Sequence, residues 1–359
     1  MQHPTNHCPL TFIAGLLWLV ASSCAVRSEG RIWSENGQLW TAEGPHFIQA
    51  VCYHPVTIGE ETRSFSRLTT DLALMQLMGA NAIRVYEPIA STAVLDKIHE
   101  AGLGVIVGFG YDQGGVYDLK SGSYMDYIES FQSHPAILFW ELGNEYNFHP
   151  EWFGGSLDAW YETLQTAACA IHEADPDHLV ATAHGEVPEA SLVDTLSCID
   201  IWGLNVYRWD ESHTALADFD AISDKPVYFS EIGADSYMTA ARGGYASGKN
   251  ERAQADATRN LLQPIFEDST RAAGLAVFSF TDGWWKAGQP NQQDVGGWAP
   301  GSSGVPYDAT ANEEHWGLVD IHRNKKEAFW VVKSFFESPA ASEHEGSPST
   351  NMNAAPHDQ

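Results

Sequence analysis

Eight short runs rich in β-branched and aromatic residues recur along the chain: "HFIQAVCY" (46–53), "NAIRVY" (81–86), "LGVIVGFG" (103–110), "AILFWEL" (136–142), "HLVATAH" (178–184), "DIWGLNVY" (200–207), "PVYFSEI" (226–232) and "LAVFSF" (275–280). Amphipathic stretches separate them, as in "SRLTTDLALMQLMG" (66–79), where Leu68, Leu72 and Met75 share one face. Others are 92–102, 157–174, 252–268 and 326–338, with the faintest helical pattern near 213–222. Strands that each lead into a crossover helix must run parallel, and eight such units close on themselves. The expected fold class is therefore α/β, a single (β/α)8 TIM barrel over residues 31–338.

Composition narrows the partners. The net charge of −28, with 47 acids against 19 Lys and Arg, repels nucleic acid and anionic membranes and suits a neutral substrate. Thirteen tryptophans and thirteen tyrosines supply flat rings of the kind that stack on sugars, although such rings also fill cores. Residues 1–25 read as a signal peptide or lipoprotein leader. The apolar run from Thr11 to Ala21 is too short to span a bilayer, and small residues follow it. Cleavage after Ala25 or lipidation at Cys24 is expected, hence a secreted, periplasmic or lipid-anchored protein with no membrane span in the mature chain. Beyond the leader Cys52, Cys169 and Cys198 remain, an odd number in no metal-ligand spacing, and read as buried free thiols. Residues 339–359 are apolar-poor and read as a flexible tail. Oligomeric state is not written in the sequence.

In a barrel of this kind chemistry gathers at the C-terminal strand ends. Those ends carry His54, Arg84, Asn144 with Glu145, His184 with Glu186, Asn205 with Tyr207, Glu231, and Asp282 with Trp284 and Trp285. Glu145 and Glu231 close strands four and seven. Two carboxyls facing across a pocket can cleave a glycosidic bond with retention, one as nucleophile and the other as acid and then base. Glu231 takes the first role if Arg84 and Tyr207 hold it. Glu145 takes the second, with a pKa raised by burial and a neighbouring charge. Glu141, four residues before Glu145, is placed by strand alternation in the barrel interior, paired. No HExxH pattern or tight acid cluster suggests a metal, and no cofactor is expected.

"HPAILFWELGNE" (134–145) resembles the acid/base segment of glycoside hydrolase family 2, and "VYFSEIGADS" (227–236) is similar to that family's nucleophile strand. "GLNVYRWD" followed by "KPVYFSEIGAD" also resembles the β-1,3-glucanosyltransferases of family 72, and "MGANAIRVYEP" (78–88) suits either. Both families belong to a clan of retaining (β/α)8 glycosidases. The resemblance implies Glu145 as acid/base and Glu231 as nucleophile, with Arg84, Asn144, Tyr207 and a tryptophan at the eighth strand around them. It also implies a carbohydrate substrate of β-glucan type, with a β-1,3 linkage suggested by the family 72 likeness.

Competing readings stand beside these. Glu145 can be a strand-end acid that caps or pairs, and His54 and His184 can be satisfied core histidines. Glu186 can be an ordinary loop acid. One of Trp284 and Trp285 is expected to be core, while Trp209, Trp298 and Trp316 can line outer subsites or simply anchor loops. For the whole chain the alternatives are an exo-acting β-galactosidase or β-glucosidase, a non-catalytic glycan-binding barrel, and a metal-dependent hydrolase.

Overall fold

Period-two alternation sorts the side chains of eight strands into two populations. The strands are β1 (Ile48–Cys52), β2 (Ala82–Val85), β3 (Gly104–Phe109), β4 (Ile137–Asn144), β5 (Val180–Gly185), β6 (Ile201–Asn205), β7 (Val227–Ile232) and β8 (Gly274–Val277). Ala50, Ala82, Ile106, Phe139, Ala181, Ile201, Tyr228 and Ala276 fill the space the strands enclose. Val51, Ile83, Val85, Val105, Val107, Trp140, Leu204, Phe229 and Val277 face outward into the helical layer. In the computed structural model, which describes residues 31–299 and 306–338, the strands form one closed parallel barrel. Register from Gly274↔Ile48 to Val277↔Val51 joins the last strand to the first. The expected TIM barrel is the observed fold.

Eight helices surround it: α1 (Leu68–Met78), α2 (Thr92–Glu100), α3 (Tyr124–Phe131), α4 (Asp158–Ala174), α5 (Ala190–Thr195), α6 (Thr214–Asp220), α7 (Glu251–Glu267) and α8 (Glu327–Phe336). The faint sixth pattern is a real helix, and α3 and α5 are two further short helices that no expected stretch covered. First and last units are tied together: Arg323 donates to both oxygens of buried Asp71 on α1, at 2.7 and 3.0 Å. The expected leader with Cys24, and the expected tail, lie outside the described residues.

Two features depart from the sequence reading. Residues 33–45, which fall inside the expected domain but before its first expected strand, form a small antiparallel sheet of strands Trp33–Glu35, Gln38–Thr41 and Gly44–Pro45. Buried Ile32 and Leu39 pack there with Ile48, Leu138 and Ala273, plugging the end of the barrel opposite the C-terminal strand ends. Secondly, Cys169 on α4 and Cys198 are joined in a disulfide, with Cα atoms 5.2 Å apart, so the expectation of free thiols is corrected. Their approach is tertiary and leaves no mark in spacing; only Cys52 is a buried free thiol among the described residues. No helix there is long and apolar enough to cross a membrane.

Candidate active site

Toward the C-terminal strand ends the barrel interior turns polar. Arg84 on β2 is fully buried and spends its guanidinium on three partners. Its Nε donates to Glu141 at 2.7 Å, Nη1 to Glu231 at 3.0 Å and Nη2 to the Asn144 side-chain oxygen at 2.9 Å. A planar guanidinium with five donors at fixed angles suits three acceptors set apart in this way. Glu141 also accepts from the phenol of Tyr228, so it is the paired interior acid that strand alternation placed there.

Two irregularities bring Glu145 and Glu231 onto this network. On β4 the register slips between Leu142 and Asn144, which turns Glu141 and Asn144 inward although they lie three apart. Gly143 makes the slip, with φ of 75°, and a Cβ there would lie 2.5 Å from the Trp160 ring. Glu145 follows at φ 56°, anchored by its own N–H to the Ala183 carbonyl at 3.0 Å. On β7 the register shifts between Tyr228 and Glu231, so Tyr228 and Glu231 share the interior.

Three donors orient Glu231. Oε1 accepts from Arg84 and, at 2.7 Å, from the Tyr86 hydroxyl; Oε2 accepts from Tyr207 at 3.1 Å. Burial, and next the charges of Glu231 and Glu145, hold the Tyr207 phenol well above its ordinary pKa, so it remains an O–H donor. Asn205 bridges the two halves, donating to Asn144 at 3.1 Å and accepting from Ser230 at 2.6 Å. Glu145 is pushed up to about 7, first by burial and then by the charge of Glu231; the Asn205 amide and Arg84 oppose the shift. One carboxylate is thus clamped as an acceptor while its neighbour holds a proton near neutrality.

The remaining expected residues divide. His54 stands at the rim, its ring 5.0 Å from that of Trp285 and 6.5 Å from that of Tyr86. Burial and the cations Arg63 and Lys286 push it down to about 3, which leaves it neutral. His184, Glu186, Asp282 and Trp284 are engaged elsewhere. His184 points outward against Trp202, hydrogen-bonds the Glu186 carbonyl at 2.8 Å and lines a separate cavity of about 780 Å³ between α4 and α5. Glu186 is bound by Arg208 through Nε at 3.1 Å and through Nη2. Asp282 is buried and takes Lys326 at 2.6 Å, the Gly317 N–H at 2.9 Å and Gln293 at 3.0 Å. Trp284 turns toward His322.

Two rim residues, Tyr86 at the exit of the second strand and Phe278, had no role assigned from sequence. Tyr86 lies two positions after Arg84, so alternation was the available signal. Strand β8 ends at Val277, three residues before the expected end, which makes Phe278 rather than a tryptophan the next residue at that rim. Its ring lies 5.3 Å from Trp316, which in turn is 5.5 Å from Tyr207. Among the described residues no cluster of three or more His, Cys, Asp or Glu side chains is placed to hold a metal.

No protein-family model matches the chain, and neither does any curated protein. Solved structures do. A GH2 β-galacturonidase from Eisenbergiella tayi bound to galacturonate is 19% identical, with a TM-score of 0.62 over 85% of this chain and 54% of that one. The β-glucuronidase of Faecalibacterium prausnitzii is 21% identical, TM-score 0.64, over 86% and 52%. That of Dictyoglomus thermophilum is 15% identical, TM-score 0.63, over 86% and 54%. The chain spans about half the length of these relatives, and the likeness establishes a fold shared with glycoside hydrolase barrels.

Proposed function

We propose that the protein is a retaining β-glycoside hydrolase, with Glu231 as nucleophile and Glu145 as acid/base. The observation that carries this reading is the division of labour between two carboxyls on one network: Glu231 oriented by three donors, Glu145 holding a proton up to about 7. Oε2 of Glu231, with one partner against two for Oε1, is the oxygen freer to attack C1. As the C1–O bond breaks, Glu145 passes its proton to the departing oxygen and a glycosyl ester forms on Glu231. Esterification removes the charge of Glu231, so Glu145 ionises more readily and can draw a proton from the incoming water.

The glycone is proposed to be neutral. Arg84 is already spent on Glu141, Glu231 and Asn144, which leaves an acid-rich pocket. A β-glucan-type substrate fits that balance, and the preference for a β-1,3 linkage rests on the sequence likeness of strands six and seven alone. A uronide is the second reading. It is favoured by the names of the solved relatives and by Lys286 at the rim, whose Nζ lies 4.2 Å from the Phe278 ring. Export is proposed from the leader-like N-terminus and gains support from the disulfide, a bond that persists in oxidising compartments.

Glu145→Ala is expected to lower kcat by about 10²–10⁴ on an unactivated glycoside, the usual worth of general acid catalysis. Azide should restore turnover on an activated substrate and yield a β-glycosyl azide. Glu231→Gln should abolish turnover. Two variants with wild-type rates would remove the mechanism.

A further inference from the structure

Lys286 and Glu313 form an ion pair, Nζ to Oε2 at 3.3 Å, with only 13% and 11% of their side chains exposed. The pair stands at the rim of the proposed pocket. Lys286 lies 4.2 Å from the centre of the Phe278 ring, 5.9 Å from Trp285 and 5.7 Å from Trp298, and its charge reaches His54. Glu313 is near enough to Glu145 and Tyr207 for its charge to act on both.

Both partners are held by backbone rather than by chance. The Ala287 N–H, next to Lys286, donates to Glu314 at 3.1 Å, and Gln293 donates to the Glu314 carbonyl at 3.1 Å. The Glu313 N–H donates to the Gly296 carbonyl at 2.8 Å, and the Gly296 N–H to Asn312 at 3.0 Å. The loop after β8 is thus laced to the segment that carries Glu313, which fixes ammonium against carboxylate.

Resting on the glycosidase reading, we infer that Glu313 is a specificity-determining residue that occupies Lys286 with a built-in carboxylate and so excludes sugars that carry a carboxylate of their own. A largely buried ammonium beside aromatic rings is a natural anchor for a uronic acid. Here that anchor is already taken. An incoming uronate would have to displace Glu313 and leave its largely buried carboxylate unpaired near Glu145, which is unfavourable. A neutral hexose adds no charge and can use the pair as donor and acceptor for its hydroxyls.

The test compares p-nitrophenyl β-glucoside and β-galactoside with the matching β-glucuronide and β-galacturonide, on wild type, Glu313→Gln, and the double variant Lys286→Met with Glu313→Gln. The readout is the uronide-to-neutral ratio of kcat/KM, which is insensitive to a general loss of active protein. Wild type should favour the neutral sugar. Glu313→Gln should raise the ratio at least tenfold, and the double variant should lose that gain, because the freed lysine is gone. Replacing both charges together leaves no buried charge unpaired, so the double variant is expected to fold, and thermal melts check each protein. Should Glu313→Gln unfold, competition by free glucuronate against a neutral substrate is compared in wild type and Glu313→Asp; an unchanged inhibition constant overturns the inference. A wild type that prefers uronides, an unchanged ratio in Glu313→Gln, or a gain retained in the double variant also overturns it. Absence of hydrolysis by every protein on every one of these glycosides and on β-glucan oligosaccharides would instead overturn the glycosidase reading itself.

Discussion

Glu145 is placed where an acid is costly to ionise. Its carboxyl titrates near 7 in the folded chain against an ordinary 4.5, with burial the larger cause and Glu231 the second. The folded state therefore holds this proton more tightly than the unfolded state. Below about pH 4 the group is neutral in both, and stability is lost as pH rises from 4.5 through 7, at about 1.4 kcal/mol per pKa unit. Glu145→Gln removes that loss. Urea unfolding should find the variant and wild type matched at pH 4 and the variant more stable by a few kcal/mol at pH 8. Equal stability at both pH values would show that the carboxyl is not held protonated. Under the proposed mechanism the same titration sets the basic limb of kcat/KM near pH 7, since the acid must enter the reaction with its proton. Both carboxyls were legible in the sequence because each closes an apolar strand at a barrel rim. Tyr86 was half legible through its spacing from Arg84. Lys286 itself reads from sequence as a candidate substrate contact, but Phe278 and the pairing of Lys286 with Glu313 were not legible, since they depend on where β8 stops and on how a long loop folds back.

Two elements hold these residues. Strand β4 delivers Glu141, Asn144 and Glu145 to one network only because Gly143 takes φ of 75° against the Trp160 ring. Gly143→Ala combines a disfavoured backbone with a Cβ 2.5 Å from ring carbon, which should cost about 1–3 kcal/mol. Because the strain falls between Glu141 and Glu145, kcat should drop more than thermal stability would suggest. A variant that melts lower but keeps full kcat would show that the bulge does not position the acid. Helix α4 depends on a different device. The Cys169–Cys198 disulfide closes a loop with a separation of 29 residues, worth about 3–4 kcal/mol by chain entropy. Cys198→Ser should lower the melting temperature accordingly, and a reducing agent should do the same to wild type but not to the variant. Strand positions were readable to within a few residues because alternation is a local signal. The disulfide was not, since parity of three cysteines says nothing about which two meet.

Across the whole molecule, the two ends of the barrel do different work. At the C-terminal end the interior carries Arg84, Glu141, Asn144, Asn205 and Glu231, the polar network of the proposed chemistry. At the opposite end the small sheet of residues 33–45 lays Ile32 and Leu39 over Ile48, Leu138 and Ala273, a contact that can only serve stability. Leu39 is 1% exposed, and Leu39→Ala removes buried methyl groups from a site with little freedom to collapse, at a cost of about 2–5 kcal/mol. The full thickness of the barrel separates this position from the network around Glu231. Leu39→Ala should therefore melt at lower temperature yet show the wild-type KM and the wild-type basic limb near pH 7 wherever it remains folded. Thermal melts paired with pH-rate profiles below the transition decide the matter. A shifted pH limb in a folded Leu39→Ala protein would mean that the plug and the rim are energetically coupled, and that stability and chemistry are not divided between the ends of this barrel.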